Sequence, residues 1–309
     1  MKALALVLAL LCASPAGAQQ VAITFDDLPA HAALPPGETR VGVARDLLAA
    51  LKAAGVRSAT GFVNGVQVER EPGSEAVLDL WRQAGHPLGN HTWSHPHLDL
   101  VGPAAFEADI VRNEPTLARD TRWFRFPYLA EGKTPETRAE VRRFLAGRGY
   151  RIASVTLSFD DWAFNDPYAR CMAKGDVAAV AELERLYMDW ARLSLERSRG
   201  LSRALYGRDI PYVLLMHAGA FDARMLPRLL AWYRSEGVRF VSLDKAQRHP
   251  FYRADDRALP SDGPLSLEAE AERRGLSVPH QAWASKVLDG VCREGLGASG
   301  ETLNFSPPP

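Results

Sequence analysis

At 309 residues the chain can bury one large core or two ordinary ones. Lysine plus arginine balances aspartate plus glutamate at 37 each, so no long-range field recruits nucleic acid, anionic lipid or a polyanionic substrate, and any partner must be recognised locally. The three cysteines show no spacing that suggests a metal cluster or a catalytic thiol.

The first residues read as an export signal. Lys2 is a short positive start, Ala3 to Leu11 an apolar run, and Ala16-Gly17-Ala18 a small-residue cleavage pattern. The mature chain is expected to begin near Gln19, in a secreted or periplasmic protein. No stable membrane insertion is expected after cleavage, because Ser14-Pro15 and Gly17 end the run short of the roughly 20 apolar residues a span needs. Bulky Leu11 fits badly with lipid attachment at Cys12. Removal of residues 1–18 leaves Cys171 and Cys292, which in an oxidising compartment can pair or remain separate thiols.

From Val21 onward, apolar strands alternate with helical patterns, which favours an α/β arrangement with parallel strands. Strands are expected at 21–25, 58–63, 86–91, 122–126, 151–158, 210–216 and 238–243. Helices are expected at 40–54, 75–84, 103–118, 135–147 and 224–236, with Ser74 as a cap, Pro135 in a first turn, and Gly55, Gly85 and Gly237 as stops. A stretch at 176–205, rich in alanine, leucine, glutamate and arginine, predicts one or two helices within an insertion at about 165–208. Seven strands fit one barrel over 19–249. Beyond it, Pro250, Pro260, Gly263 and Pro264 punctuate a loop before helical patterns at 267–274 and 281–292, giving a C-terminal extension over 250–309, packed on the barrel and frayed at 306–309.

Two segments carry chemistry. In Thr24-Phe25-Asp26-Asp27 an apolar strand runs into adjacent carboxylates, and reactive side chains of parallel α/β barrels gather at the carboxyl ends of strands. A turn or helix cap would use the same residues. In His91-Thr92-Trp93-Ser94-His95 the i, i+4 spacing puts both imidazoles on one side of a helical turn, a pairing zinc uses readily. His86 and His97 do not keep that spacing and are expected as supporting or surface residues. Two histidines with one carboxylate leave positions open for water and substrate, the catalytic rather than the structural zinc pattern.

These segments, in this order, resemble the polysaccharide deacetylase family, also called the NodB-homology or carbohydrate esterase family 4 proteins, over roughly 21–244. The resemblance implies a distorted (β/α)7 barrel, a divalent metal that is usually zinc, and an acetylated carbohydrate as substrate. It implies Asp26 as catalytic base and Asp27, His91 and His95 as metal ligands. Arg125-Phe126-Pro127-Tyr128 resembles the motif in which the arginine orients the base and the backbone amide at the tyrosine holds the oxyanion. Asp161-Trp162 resembles the pair whose carboxylate tunes the acid histidine and whose indole lines the groove, and Leu214-Leu215-Met216-His217 the strand ending in that histidine.

The implied activity is removal of N-acetyl groups from an amino-sugar oligomer or polymer of chitooligosaccharide or peptidoglycan type. An O-acetyl esterase on xylan-like polymer, a hydrolase of small amides with the same site, and an inactive carbohydrate-binding protein are the alternatives. Leu28 in place of a common glycine, Phe126 in place of a common proline, Leu129 in place of a common glycine, and the inserted helices are expected beside the substrate.

Overall fold

The computed structural model describes residues 19–117, 122–253, 265–278 and 284–293. The expected signal segment, the frayed end and much of the C-terminal extension lie outside the described residues. Among the described residues no helix is long and apolar enough to cross a membrane.

All seven expected strands form, and all observed pairings are parallel: β1 Gln20–Leu28, β2 Thr60–Val63, β3 Leu88–Asn90, β4 Trp123–Phe124, β5 Arg151–Ile152, β6 Tyr212–His217 and β7 Arg239–Val241. The sheet runs β5-β4-β3-β2-β1-β6, with β7 also on β1. Val21 and Ala22 partner both β6 and β7, so β7 takes the edge of β1 that β2 occupies from Thr24 onward. Apolar runs buried on both faces explain the lack of alternation in β1 and β6.

The fifth strand is much shorter than expected. Only Arg151 and Ile152 are ladder residues, and the following segment reaches β6 through a single Leu157–Leu214 bridge. The curled sheet is therefore closed by little backbone pairing, and side chains supply the rest. Thr156 Oγ1 accepts the Val213 N–H at 2.9 Å, Ser198 Oγ donates to Thr156 O at 2.9 Å, and Ser194 Oγ donates to Ser158 O at 2.5 Å. Those serines sit on the long inserted helix Val177–Tyr206, whose buried stripe includes Val180, Leu183, Tyr187, Trp190, Ser194, Ser198, Leu201 and Leu205 at helical spacing. The insertion is thus two helices, Asn165–Lys174 and Val177–Tyr206, joined at left-handed Gly175 (φ 66°). It packs on the weakly paired barrel wall, where sheet carbonyls would otherwise lack partners.

The other helices follow the expected pattern with small shifts at their ends. Thr39 and Thr134 cap Arg40–Ala53 and Pro135–Gly147 by accepting N–H groups of Gly42 and Thr137. Ser74 precedes Glu75–Gln83 but makes no capping bond with its side chain. The helix at 103 ends at Asn113, because Pro115 cannot continue it and the chain tightens into a 3₁₀ turn. In the described part of the extension, Leu267–Arg273 and Ala284–Leu288 are helical, and Cys171 is bonded to Cys292.

Candidate metal and catalytic site

The strand ends converge as the carboxylate pair requires. Asp26 pairs in register with His217 across β1 and β6, and Ala218 N donates to Asp26 O at 3.1 Å. Asp26 keeps extended geometry, whereas Asp27 turns left-handed at φ 63°, and both carboxylates still reach one imidazole: Asp26 Oδ2 and Asp27 Oδ1 each lie 3.6 Å from His91 Nε2. Asp26 Oδ1 accepts Arg125 Nη1 at 2.8 Å. Arg125 is fully buried, also donates to Thr24 Oγ1 and Ala153 O, and stacks on the Phe62 ring. Phe25 sits between the pair and Thr24 as part of the core.

Asp27 Oδ1 is buried with no hydrogen-bond partner, and it faces His91 Nε2 at 3.6 Å and His95 Nε2 at 3.5 Å. Two donors each about 2.0–2.2 Å from one ion stand roughly 2.8–3.6 Å apart at octahedral or tetrahedral angles. An orphaned carboxylate oxygen among imidazole nitrogens at that separation fits a divalent cation. His91 Nδ1 lies 2.8 Å from Arg125 O; a carbonyl only accepts, so Nδ1 carries a proton and Nε2 is the nitrogen turned to the carboxylates. Burial, then the nearby His91, pushes His95 down to about 4, which leaves it neutral at ordinary pH. Burial works to raise Asp27, but the hydrogen bond and charge of His31, with His217 and His95, hold it well below the usual carboxylate range.

The two candidate ligand histidines do not share a helical turn. Residues 91–95 form a loop after β3, with left-handed Thr92 (φ 65°) and His95 (φ 57°). Side-chain amides and carboxylates hold it. Asn90 Oδ1 accepts Thr92 N–H at 2.9 Å, Asn64 Nδ2 donates to His91 O at 2.6 Å, and Asp109 accepts the N–H and hydroxyl of Ser94. The i, i+4 spacing predicts a shared helical turn; the structure instead brings the two imidazoles together through a loop.

Asp161 is fully buried and accepts His217 N–H at 2.5 Å, with His217 Nδ1 at 3.2 Å. Burial alone would lower His217, but the Asp161 charge and hydrogen bond, with Asp27 and Asp26 beyond, raise it to about 10. Trp162 and Tyr128 are both substantially exposed. Tyr128 sits at φ 58°, its ring 4.5 Å from His95 and 5.3 Å from His97. A cleft of about 320 Å³ opens beside the centre, lined by Asp27, His31, Asn64, Gln67 and His95 among others. A larger hollow of about 470 Å³, lined in part by Trp93, Arg82 and Arg112, includes none of these groups.

Several expectations about the surroundings change. Leu28 and Phe126 are buried core residues: Leu28 packs over Gly61, where a Cβ would meet its Cδ1 at 2.2 Å, and Phe126 stacks on Phe106 and edges Phe124. Of the three departures only Leu129 is exposed. His86 is a core residue whose Nδ1 accepts Ala59 N–H, not a surface or supporting one. One residue was missed altogether: His31 places Nδ1 2.7 Å from Asp27 Oδ2 and its ring 4.9 Å from that of His217. Its only signal was a histidine four residues after the aspartate pair.

A polysaccharide deacetylase family profile matches residues 13–153, a span that includes Asp26, Asp27, His91, His95, Arg125 and Tyr128 but stops before Asp161 and His217. A chitin deacetylase from Pestalotiopsis sp is 27% identical over 149 residues, covering 47% of this chain and 44% of that protein. A peptidoglycan-N-acetylglucosamine deacetylase from Bacillus cereus is 32% identical over 105 residues, covering 34% and 33%. The chain thus spans less than half the length of these curated relatives. Among solved structures, a mutant CE4 family pseudoenzyme of Bacillus anthracis with restored enzymatic activity aligns at a TM-score of 0.50 and 17% identity, over 75% of this chain and 68% of that one. The likeness is one of fold, a curled sheet of parallel strands surrounded by helices.

Proposed function

From the premise that this chain belongs to the polysaccharide deacetylase family, we propose that it is a metal-dependent hydrolase removing N-acetyl groups from an amino-sugar oligomer or polymer. The observation that carries the reading is the orphaned Asp27 Oδ1 facing His91 and His95, flanked by Asp26 held on Arg125 and His217 held on Asp161. A divalent cation, zinc by its usual preference for two histidines and a carboxylate, would acidify water and polarise an acyl carbonyl there.

The chain's own groups divide the proton work. Asp26, oriented by the buried Arg125 guanidinium, accepts a proton from the attacking water. His217, kept charged by Asp161, donates one to the departing amine, which cannot leave readily as an anion. The Tyr128 N–H, on backbone turned left-handed, is assigned to the developing oxyanion. The exposed faces of Tyr128 and Trp162 suit sugar rings, whose apolar faces stack on aromatics. The substrate class rests on the chitin and peptidoglycan deacetylases among the relatives.

Mass spectrometry of chitooligosaccharides, peptidoglycan fragments and acetylated xylan incubated with zinc-loaded protein tests the reading. Loss of acetyl from the amino sugars is expected; acetate released only from xylan would assign an O-acetyl esterase instead. Asp26→Asn should keep its metal and lose turnover by a factor of roughly 10²–10⁴. Near-normal turnover in that variant sinks the base assignment.

A further inference from the structure

We propose that His31 is a positioning residue for the metal ligand Asp27, holding one carboxylate oxygen so that the other alone faces His91 and His95; this rests on the metal-site reading above. His31 Nδ1 and Asp27 Oδ2 stand 2.7 Å apart, and a carboxylate oxygen accepts, so His31 Nδ1 is the donor. Oδ1 is left buried, unpartnered and directed at both Nε2 atoms. A carboxylate with both oxygens free rotates about its terminal torsion, which is broad. One with an anchored oxygen presents a single donor, and leaves room at the cation for water and an acyl oxygen.

The position of His31 is built rather than incidental. The strand β1 ends at Leu28 before Pro29, which has no N–H to continue a ladder. Arg40 Nη1 then holds Ala30 O at 3.2 Å, and His31 N donates to Ala218 O at 2.9 Å, one residue past His217. Gln67 Nε2 donates to Asp27 O at 3.3 Å. His31 is therefore stitched by its backbone to the strand end carrying His217 and by its side chain to Asp27. Groups that orient a metal ligand in this way typically change metal affinity or activity by roughly 10- to 100-fold when removed.

Zinc affinity of metal-free protein, measured by competition with a chromophoric chelator, tests the role. His31→Ala should bind zinc roughly 10- to 100-fold more weakly, and His31→Asn, which returns an N–H donor near Nδ1, should recover most of the loss. Unaltered melting of the metal-free variants separates this from general damage. Affinity in His31→Ala equal to wild type, or His31→Asn as weak as His31→Ala, overturns the proposal. Asp27, His31 and His217 also lie close enough to hold a cation of their own. Two zinc equivalents in wild type and one in His31→Ala would make His31 a ligand and likewise overturn it. Wild type that takes up neither zinc, cobalt nor nickel overturns this inference together with the metal-site reading. Weakened zinc binding in His31→Ala, rescued in His31→Asn, with no acetate released from any acetylated sugar, upholds the inference while the proposed function fails.

Discussion

Asp161 is wholly removed from solvent, yet its carboxylate meets both the backbone N–H and Nδ1 of His217. That pairing raises the imidazole to about 10 despite the opposing effect of burial. A folded-state value above the unfolded value of about 6.5 contributes stability that is fully present below about pH 6.5 and is lost as pH rises through about 10. Urea unfolding of metal-free protein should therefore show wild type losing stability across that window more steeply than His217→Gln. Parallel profiles would show that the pair does not hold His217 charged. Asp161 and His217 were legible as chemistry-bearing types at the ends of apolar runs. His31 was not, because nothing local distinguishes a histidine in a loop from one whose Nδ1 meets a carboxylate.

The loop 91–95 depends on the amide side chains of Asn64, Asn90 and Asn113. Asn90 is fully buried: its Oδ1 accepts Thr92 N and Asn113 Nδ2, and its Nδ2 donates to Ile110 O and Tyr150 Oη. Asn113 in turn accepts Gly65 N–H and donates to Val63 O. Asn90→Ala leaves buried donors and acceptors unmatched, each worth about 1–3 kcal/mol. The variant should lose at least about that much in urea unfolding and also bind zinc more weakly; a stability loss without a change in zinc affinity would separate the network from ligand placement. Helix periodicity located these asparagines on or beside elements. It could not reveal that they serve one loop, since all of these bonds except that of Thr92 N to Asn90 Oδ1 join residues distant in sequence. The same limit explains why the strand expected at 151–158 shrank: its hydrophobicity was visible, but its partners are serines of a helix some forty residues further on.

Across the whole molecule, the disulfide Cys171–Cys292 fastens the segment 284–293 to the inserted helix Asn165–Lys174, beside Arg170, which donates to Val291 O. It closes a loop with a sequence separation of 121, so reduction or Cys292→Ser should destabilise the fold by about 2–5 kcal/mol. A reductant should lower the melting temperature of wild type and leave that of Cys292→Ser unchanged; equal sensitivity in both would remove the bond from the stability of the fold. The sequence by itself determined the alternation of seven strands with helices and the residue types at the strand ends, because apolar runs, caps and stops are local properties of the chain. Only the tertiary structure decided which of the described histidines face a single oxygen of Asp27, because left-handed turns at Asp27, Thr92 and His95 and the β1–β6 register are set by contacts between distant segments.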